Sequence, residues 1–184
     1  MTVPGSVMEI KNHAFANCTN LKKVSLPDEL STIWAYAFSN CSSLSEINIP
    51  VGLTSCPVYA YGSYHYGLFP NCTSLTEVTI PEGMTALPAY VFLNADGLKK
   101  VNMSEGLLSI GTNCFLGCNG LGEITLPKSL TTLGEGCFSH CGGLTWIEIP
   151  DNVVEVSPIL GDLNFDSAVD QKDVDLFAKY FAGW

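Results

Sequence analysis

Ile10-Lys11-Asn12-His13-Ala14-Phe15-Ala16-Asn17-Cys18-Thr19-Asn20-Leu21-Lys22-Lys23-Val24-Ser25-Leu26-Pro27 is one phrase of a sequence that restates it to the end. Its strand word returns as Ile47-Asn48-Ile49-Pro50, Val78-Thr79-Ile80-Pro81, Ile124-Thr125-Leu126-Pro127 and Ile147-Glu148-Ile149-Pro150. In Val101-Asn102-Met103-Ser104 the proline has been lost. Phe15, Phe38, Phe69, Phe92, Phe115 and Phe138 each stand six residues ahead of a leucine, from Leu21 to Leu144. The step is 23 residues, except for 31 between Phe38 and Phe69. A fixed period in this range predicts a solenoid, in which each repeat buries its apolar face only against its neighbours.

Within the phrase, Leu21, Val24 and Leu26 lie in an alternating pattern that predicts a strand with one buried face. The proline ends it, because proline cannot donate to a ladder. A second short segment follows, such as Leu30-Ser31-Thr32-Ile33, with its apolar residues three apart. The Ala-Phe-x-x-Cys-x-x-Leu stretch has apolar residues at i, i+1, i+4 and i+7, the spacing of a short helical turn packed on the coil.

Composition narrows the function. The chain has 184 residues, 47% of them hydrophobic, which is ample material for a continuous core. Its formal charge is −10 and all 8 basic residues are lysine. Arginine is the preferred fork for phosphate and base edges, so its absence within a negative field argues against nucleic acid and anionic membranes. No apolar run approaches the roughly 20 residues of a membrane span. The first residues lack the basic start and apolar stretch of a signal peptide. Val3-Pro4 falls where a strand word ends, so the chain is expected to continue a longer protein with any export signal upstream.

Five of the 8 cysteines (Cys18, Cys41, Cys72, Cys118 and Cys141) share one repeat position, and Cys114 and Cys137 share another. Cys114-x3-Cys118 with Cys137-x3-Cys141 has the spacing of a four-cysteine zinc site. The other reading is that cysteine fills a fixed core slot as a small hydrophobe. Ala95 standing in the same column favours the second. Asn17, Asn40, Asn71 and Asn94 precede that column. Three of them form Asn-Cys-Thr or Asn-Cys-Ser sequons, but their periodicity favours a turn role over glycosylation.

The pattern Ile-x-x-x-Ala-Phe-x-x-Cys-x-x-Leu-x-x-Val-x-Leu-Pro resembles the leucine-rich repeats of BspA-like surface proteins of bacteria and some protists. It extends from residue 3 to about 156, with Ser104, Ala95, Asp96 and one insertion as departures. The resemblance implies a right-handed parallel leucine-rich repeat solenoid over residues 1–157. It implies a secreted or cell-surface bacterial protein that contacts host or matrix protein or polysaccharide, with no catalytic residues.

Two surfaces are candidates for such contacts. Residues flanking the buried strand positions form outward columns, one of Lys23, Glu46, Glu77, Lys100, Glu123 and Trp146, the other of Ser25, Asn48, Thr79, Asn102, Thr125 and Glu148. A solvated face is the simpler account of this strip, with Trp146 as the residue suited to anchor a partner. The insertion reads Pro57-Val58-Tyr59-Ala60-Tyr61-Gly62-Ser63-Tyr64-His65-Tyr66-Gly67. Tyrosines spaced by Gly and Ser are the chemistry of a recognition loop, and solenoid insertions map to one exposed face. Tyr59, Tyr61, Tyr64, His65 and Tyr66 are therefore expected either to meet a protein or glycan or to fold over the coil for packing.

The tail differs. From Asp151 onward seven acidic residues stand against Lys172 and Lys179. Asp162, Asn164, Asp166, Asp170 and Asp173 occupy positions 1, 3, 5, 9 and 12 of a loop, with the Ala168 carbonyl at position 7; alternate oxygen donors in a tight loop suit calcium. Val174, Phe177 and Phe181 give the apolar stripe of a following helix. Residues 158–184 thus resemble the first calcium-binding repeat of a type I dockerin. That resemblance implies calcium as cofactor, a cohesin domain of a scaffold protein as partner in a cellulosome-type assembly, and Gln171 and Lys172 as cohesin contacts. Ser167 replaces the usual glycine at position 6, where a left-handed backbone costs roughly 1 kcal/mol. A dockerin has two such units and this sequence carries one.

His13, His65 and His140 sit in unrelated repeat slots, and no nucleophile is paired with any of them by motif, so no enzyme is expected. The sequence reads as a non-catalytic adhesion module, with a structural spacer or an accessory module of a secreted carbohydrate- or protein-degrading enzyme as the alternatives.

Overall fold

The computed structural model describes residues 1–58 and 67–156. The tyrosine segment 59–66, including Tyr59, Tyr61, Tyr64, His65 and Tyr66, lies outside the described residues. So do the calcium loop (Asp162, Asn164, Asp166, Ala168, Asp170, Asp173) and the cohesin-contact positions Gln171 and Lys172.

Ten short strands follow in chain order: β1 (Glu9–Ile10), β2 (Lys23–Val24), β3 (Thr32–Ile33), β4 (Glu46–Ile47), β5 (Glu77–Thr79), β6 (Ala86–Leu87), β7 (Lys100–Asn102), β8 (Ser109–Ile110), β9 (Thr132–Leu133) and β10 (Glu155–Val156). All pairings are parallel, and they fall into two ladders along the coil axis. The first carries the expected strand words: β2 pairs with β4 and β5 with β7, the bridge Thr2–Ser25 extends it, and the bridge Thr125–Glu148 stands apart from β7. The second is built from the segment after the proline. It joins β1 to β3 and a bridge to Ser55, then β6 to β8, β9 and β10. Lys23 lies opposite Glu46 and Ser109 opposite Thr132, so the sequence period is the sheet register.

Each coil with a strand-ending proline closes by the same means. The proline carbonyl accepts from the N–H three residues on, as in Leu30 to Pro27 at 3.1 Å, Leu53 to Pro50 at 3.1 Å and Leu130 to Pro127 at 3.1 Å. The residue that cannot extend the strand therefore starts the turn that ends it.

The predicted helical turn at Ala-Phe-x-x-Cys-x-x-Leu is corrected by the structure: among the described residues this stretch is a string of separate turns, not a helix. Ala14 donates to Lys11, Ala16 to His13, Cys18 to Phe15 and Leu21 to Cys18. A left-handed residue interrupts most coils twice, His13 (φ 59°) and Asn17 (φ 62°) in the first, Tyr36 (60°) and Asn40 (57°) in the next, whereas the third has Asn71 alone (60°). A helix cannot run through such positions. What the left-handed residues gain is a third line of bonding, because they turn alternate N–H groups toward the next coil. Phe15 donates to Ala37 at 2.8 Å, Asn17 to Ser39 at 2.8 Å, Phe92 to Cys114 at 2.9 Å and Asn94 to Leu116 at 2.8 Å.

The core is a file of stacked rings. Phe15, Phe38, Phe69, Phe92, Phe115 and Phe138 lie 5.2, 5.7, 5.9, 5.2 and 5.4 Å apart in succession. Phe38 to Phe138 are buried, as are the leucines from Leu44 to Leu144, while Phe15 and Leu21 at the first coil are only partly covered. The steps on either side of Phe69 are the widest.

Among the described residues both ladders break at the insertion, and the first breaks again between β7 and Thr125, where the step is 23. β4 and β5 belong to different sheets, and so do the Ser55 bridge and β6. Proline contributes to the second break. Trp34, Gly111 and Gly134 donate to Ile10, Leu87 and Ile110 at 2.8–2.9 Å, whereas Pro57 and Pro88 occupy the same slot without an N–H. The turn line stays bonded across the insertion, with Phe38 donating to Leu68 at 3.1 Å and Asn40 to Pro70 at 2.9 Å.

Candidate binding surfaces

The outward strip of the first ladder is ordered by side-chain bonds between coils. Lys23 pairs with Glu46, and Lys100 Nζ lies 3.0 Å from Glu77 Oε1. Asn102 Nδ2 donates to Glu77 Oε1 at 2.8 Å and to Thr79 Oγ1 at 3.3 Å. The Asn102 bond, with Lys100 adding to it, holds the Glu77 carboxyl below the usual range. Asn48 takes over a ladder rung, accepting from Leu26 N at 2.7 Å and donating to Leu26 O at 2.9 Å. Two glutamates of the strip are thus ion-paired in place with its own lysines. Trp146 stands at the far end with 51% of its surface exposed.

Where the first ladder breaks, the strip opens into a groove of about 350 Å3. One wall is Ser45 to Ile49, the other Glu77 to Thr79 with Pro81.

The insertion leaves the coil at a fixed place. Pro57 O accepts from Ala35 N at 2.9 Å and Gly67 O from Tyr36 N at 2.8 Å, so its two ends are held by consecutive residues. That base lies beside aromatic side chains which the sequence reading did not single out. His13 stacks on Tyr36 with centroids 4.9 Å apart and rings 8° from parallel. Lys11 Nζ sits 5.4 Å from the Trp34 ring centre and 2.6 Å from Glu9 Oε1, and Trp34 Nε1 also donates to Glu9. The lysine first, then the indole, hold the Glu9 carboxyl below its usual range. The signal was present in sequence as the column two residues ahead of each phenylalanine, which reads His13, Tyr36, Gly67 and Tyr90.

The cysteines resolve toward packing. Cys41, Cys72, Cys118 and Cys141 each direct Sγ to the carbonyl of the phenylalanine one coil back, at 3.0–3.1 Å. Burial pushes the thiols of Cys72, Cys137 and Cys141 up to about 12, and those of Cys114 and Cys118 well above the ordinary value. A nucleophilic cysteine must ionise to the thiolate, which this setting opposes. Among the described residues no group of three His, Cys, Asp or Glu side chains is placed to hold a metal. None of their helices is long and apolar enough to cross a membrane.

Comparison with known proteins places the repeats. The profile described as "BspA type Leucine rich repeat region" matches residues 1–66 and 65–160, in six copies. The fold is similar to a T. pallidum leucine-rich repeat protein, 24% identical over 96% of this chain and 82% of that one, with a TM-score of 0.65. A leucine-rich cell surface protein from Faecalibacterium prausnitzii is 31% identical, covers 80% of this chain and 38% of its own, and has a TM-score of 0.54. A leucine-rich repeat protein from Eubacterium ventriosum is 25% identical over 86% of this chain and 41% of its own, at 0.63. The chain thus spans about two fifths of the last two structures. No curated protein matches it.

Proposed function

The chain belongs to the BspA-type leucine-rich repeat family, and from that premise we propose that it is a non-catalytic adhesion module of a bacterial surface protein. The observation that carries this reading is the anchoring of the insertion. Pro57 and Gly67, which flank the segment carrying Tyr59, Tyr61, Tyr64, His65 and Tyr66 in sequence, are pinned to Ala35 and Tyr36, and Tyr36 stacks on His13. Tyrosine brings broad amphipathic contact area at low entropic cost, which serves recognition of a protein or a glycan. Trp146 offers a second anchor on the strip. A cell-surface setting is in keeping with the F. prausnitzii relative, which is described as a cell surface protein.

The tail completes the proposal. The donors Asp162, Asn164, Asp166, Asp170 and Asp173, with the Ala168 carbonyl, are all hard oxygens, the set that calcium takes. In this reading the loop holds calcium, and Gln171 and Lys172 meet a cohesin on a scaffold protein. Calorimetry tests the two halves separately. Wild-type chain should bind one calcium and the Asp162→Ala variant none; absence of binding in both removes the dockerin part. Replacing Tyr59, Tyr61, Tyr64 and Tyr66 together by serine should abolish capture on glycan and matrix-protein arrays with little change in thermal midpoint. Unfolding of that variant instead would assign the tyrosines to packing.

A further inference from the structure

The two ends of the solenoid are not covered alike. Phe15 and Phe138 each have a single ring neighbour in the phenylalanine file. In the first coil Phe15 and Leu21 are partly covered and Cys18 is exposed. Their counterparts in the last coil are buried, with Phe138 at 3%, Cys141 at 0% and Leu144 at 6% exposure. The strand side of that coil differs, because Ile147, Ile149 and Val153 are only partly covered. The last coil is therefore closed over its turn side and half open over its strand word.

The repeat register identifies residues that answer this pattern. A seventh coil begins within the described residues, since Val156 lies opposite Leu133 in the pairing of β10 with β9. One step of 23 beyond Cys137 stands Leu160. From the second coil on, that column reads Ala37, Leu68, Val91, Cys114 and Cys137, each 2% exposed or less. The match to the repeat family also runs to residue 160. Beyond it the apolar pattern stops. Gly161 stands in the phenylalanine slot, and Asp170 and Lys172 stand one step beyond Ile147 and Ile149. A seventh coil thus offers an apolar turn side and no strand word, the same division that the burial shows. Solenoids need a terminal unit of this kind, with a polar outer face. We propose that residues 157–162 cap the solenoid as the turn side of a seventh coil, with Leu160 in the buried column, and that calcium in the loop starting at Asp162 fastens this cap. The calcium half rests on the reading of the tail proposed above. Only Gly161 separates Leu160 from Asp162, the first donor, so ordering the loop and seating the leucine fix the same stretch of backbone. An ion that binds the ordered loop then stabilises the coil beneath it.

The turn line supplies the readout. Phe15, Phe92 and Phe115 donate to the carbonyl 22 residues ahead, and so do Asn17, Asn94 and Gly117. By the same step the cap gives the N–H groups of Phe138 and His140 their acceptors, at residues 160 and 162. The test is hydrogen exchange of the full chain, followed by NMR at these two amides with and without calcium. Both should be protected without calcium and slowed about tenfold further with it. Leu160→Asp should abolish the protection and leave Phe92 and Phe115 unchanged. Leu160→Val, a residue the column already carries at Val91, should keep it. Asp162→Ala should keep the calcium-free protection and lose the response to calcium. Fast exchange at Phe138 and His140 in the wild type under both conditions would overturn the cap, as would protection that survives Leu160→Asp. Calcium bound in calorimetry with exchange unchanged would overturn the coupling while leaving the calcium site standing. No calcium bound at all would remove the coupling together with the tail reading, and the Leu160 variants would then decide the cap alone.

Discussion

Asn71 Nδ2 donates to Asn40 Oδ1 at 2.8 Å although 31 residues separate them. The same bond joins Asn40 to Asn17 at 3.0 Å across the ordinary step of 23. The turn side of the solenoid is thus continuous through the insertion, while both strand ladders are interrupted there. Each of these asparagines also sits at positive φ, 62°, 57° and 60° in turn. One side chain serves two needs, a tolerated left-handed backbone and a rung to the next coil.

Those two roles separate by substitution. Asn71→Gly keeps the backbone conformation and loses the rung, so it should cost about 1 kcal/mol. Asn71→Ala loses the rung and adds left-handed strain, so it should cost about 2 kcal/mol. Urea unfolding of the two variants compares them directly. Equal losses would mean that the backbone conformation at Asn71 carries no strain. Gly117 marks where the asparagine column stops: a Cβ there would lie 2.3 Å from Asn94 Oδ1, so glycine replaces asparagine at the same positive φ.

The phenylalanine file predicts a gradient. Phe92 is fully buried between Phe69 and Phe115, and Phe92→Ala should cost about 3–5 kcal/mol. Phe15 has one ring neighbour in the file and is only partly covered, so Phe15→Ala should cost less than half as much. A loss at Phe15 as large as that at Phe92 would show that the first coil is covered in solution.

Thiol chemistry gives a pH dependence with a definite sign. Burial raises the folded-state pKa of Cys72, Cys137 and Cys141 to about 12 from an ordinary 9. A raised thiol pKa means that the folded state keeps protons which the unfolded state gives up above pH 9. Stability should therefore fall steadily as pH climbs from about 9 toward 12, and be unaffected by these groups below pH 8. Iodoacetamide at pH 8 should label Cys18, the exposed thiol, and spare the seven buried ones until denaturant is added. Rapid native labelling of Cys118 or Cys141 would contradict the packing seen here.

Much of this was legible because a solenoid turns sequence period directly into register. Lys23 opposite Glu46 and Val24 opposite Ile47 could be read from the spacing of the strand words alone. The second ladder was not read as strands because its runs, such as Thr32–Ile33, are two residues long, too short for alternation to show. The turn stretch was misread for a different reason. Its apolar spacing fits a helix, and only the left-handed residues His13 and Asn17 forbid one. Asparagine, and more weakly histidine, is a usable signal at that position; tyrosine is not, since a bulky residue ordinarily avoids positive φ. Nor could spacing reveal the groove at β4 and β5. The eight extra residues are visible in the sequence, but their consequence for pairing on the opposite ladder depends on how the coil absorbs them.

That consequence is open to a direct test by hydrogen exchange. Amides on the unpaired edges, Ile47, Thr79 and Ala86, should exchange faster than Ile110 and Leu133, whose strands β8 and β9 are paired on both sides. Two causes for the gap are on hand, the insertion and the missing donor at Pro88. Deleting residues 59–66 restores the step of 23 and should slow exchange at Ile47 and Thr79 if the insertion alone parts the first ladder. Pro88→Gly restores an N–H facing Cys56 and should act on Ala86 only, because proline at 88 touches the second ladder and not the first. If each change protects its own ladder, the two breaks are independent events that share a coil boundary. If the deletion protects all three amides and Pro88→Gly protects none, the insertion wedges the whole boundary open, and the proline merely occupies a slot that had already lost its partner.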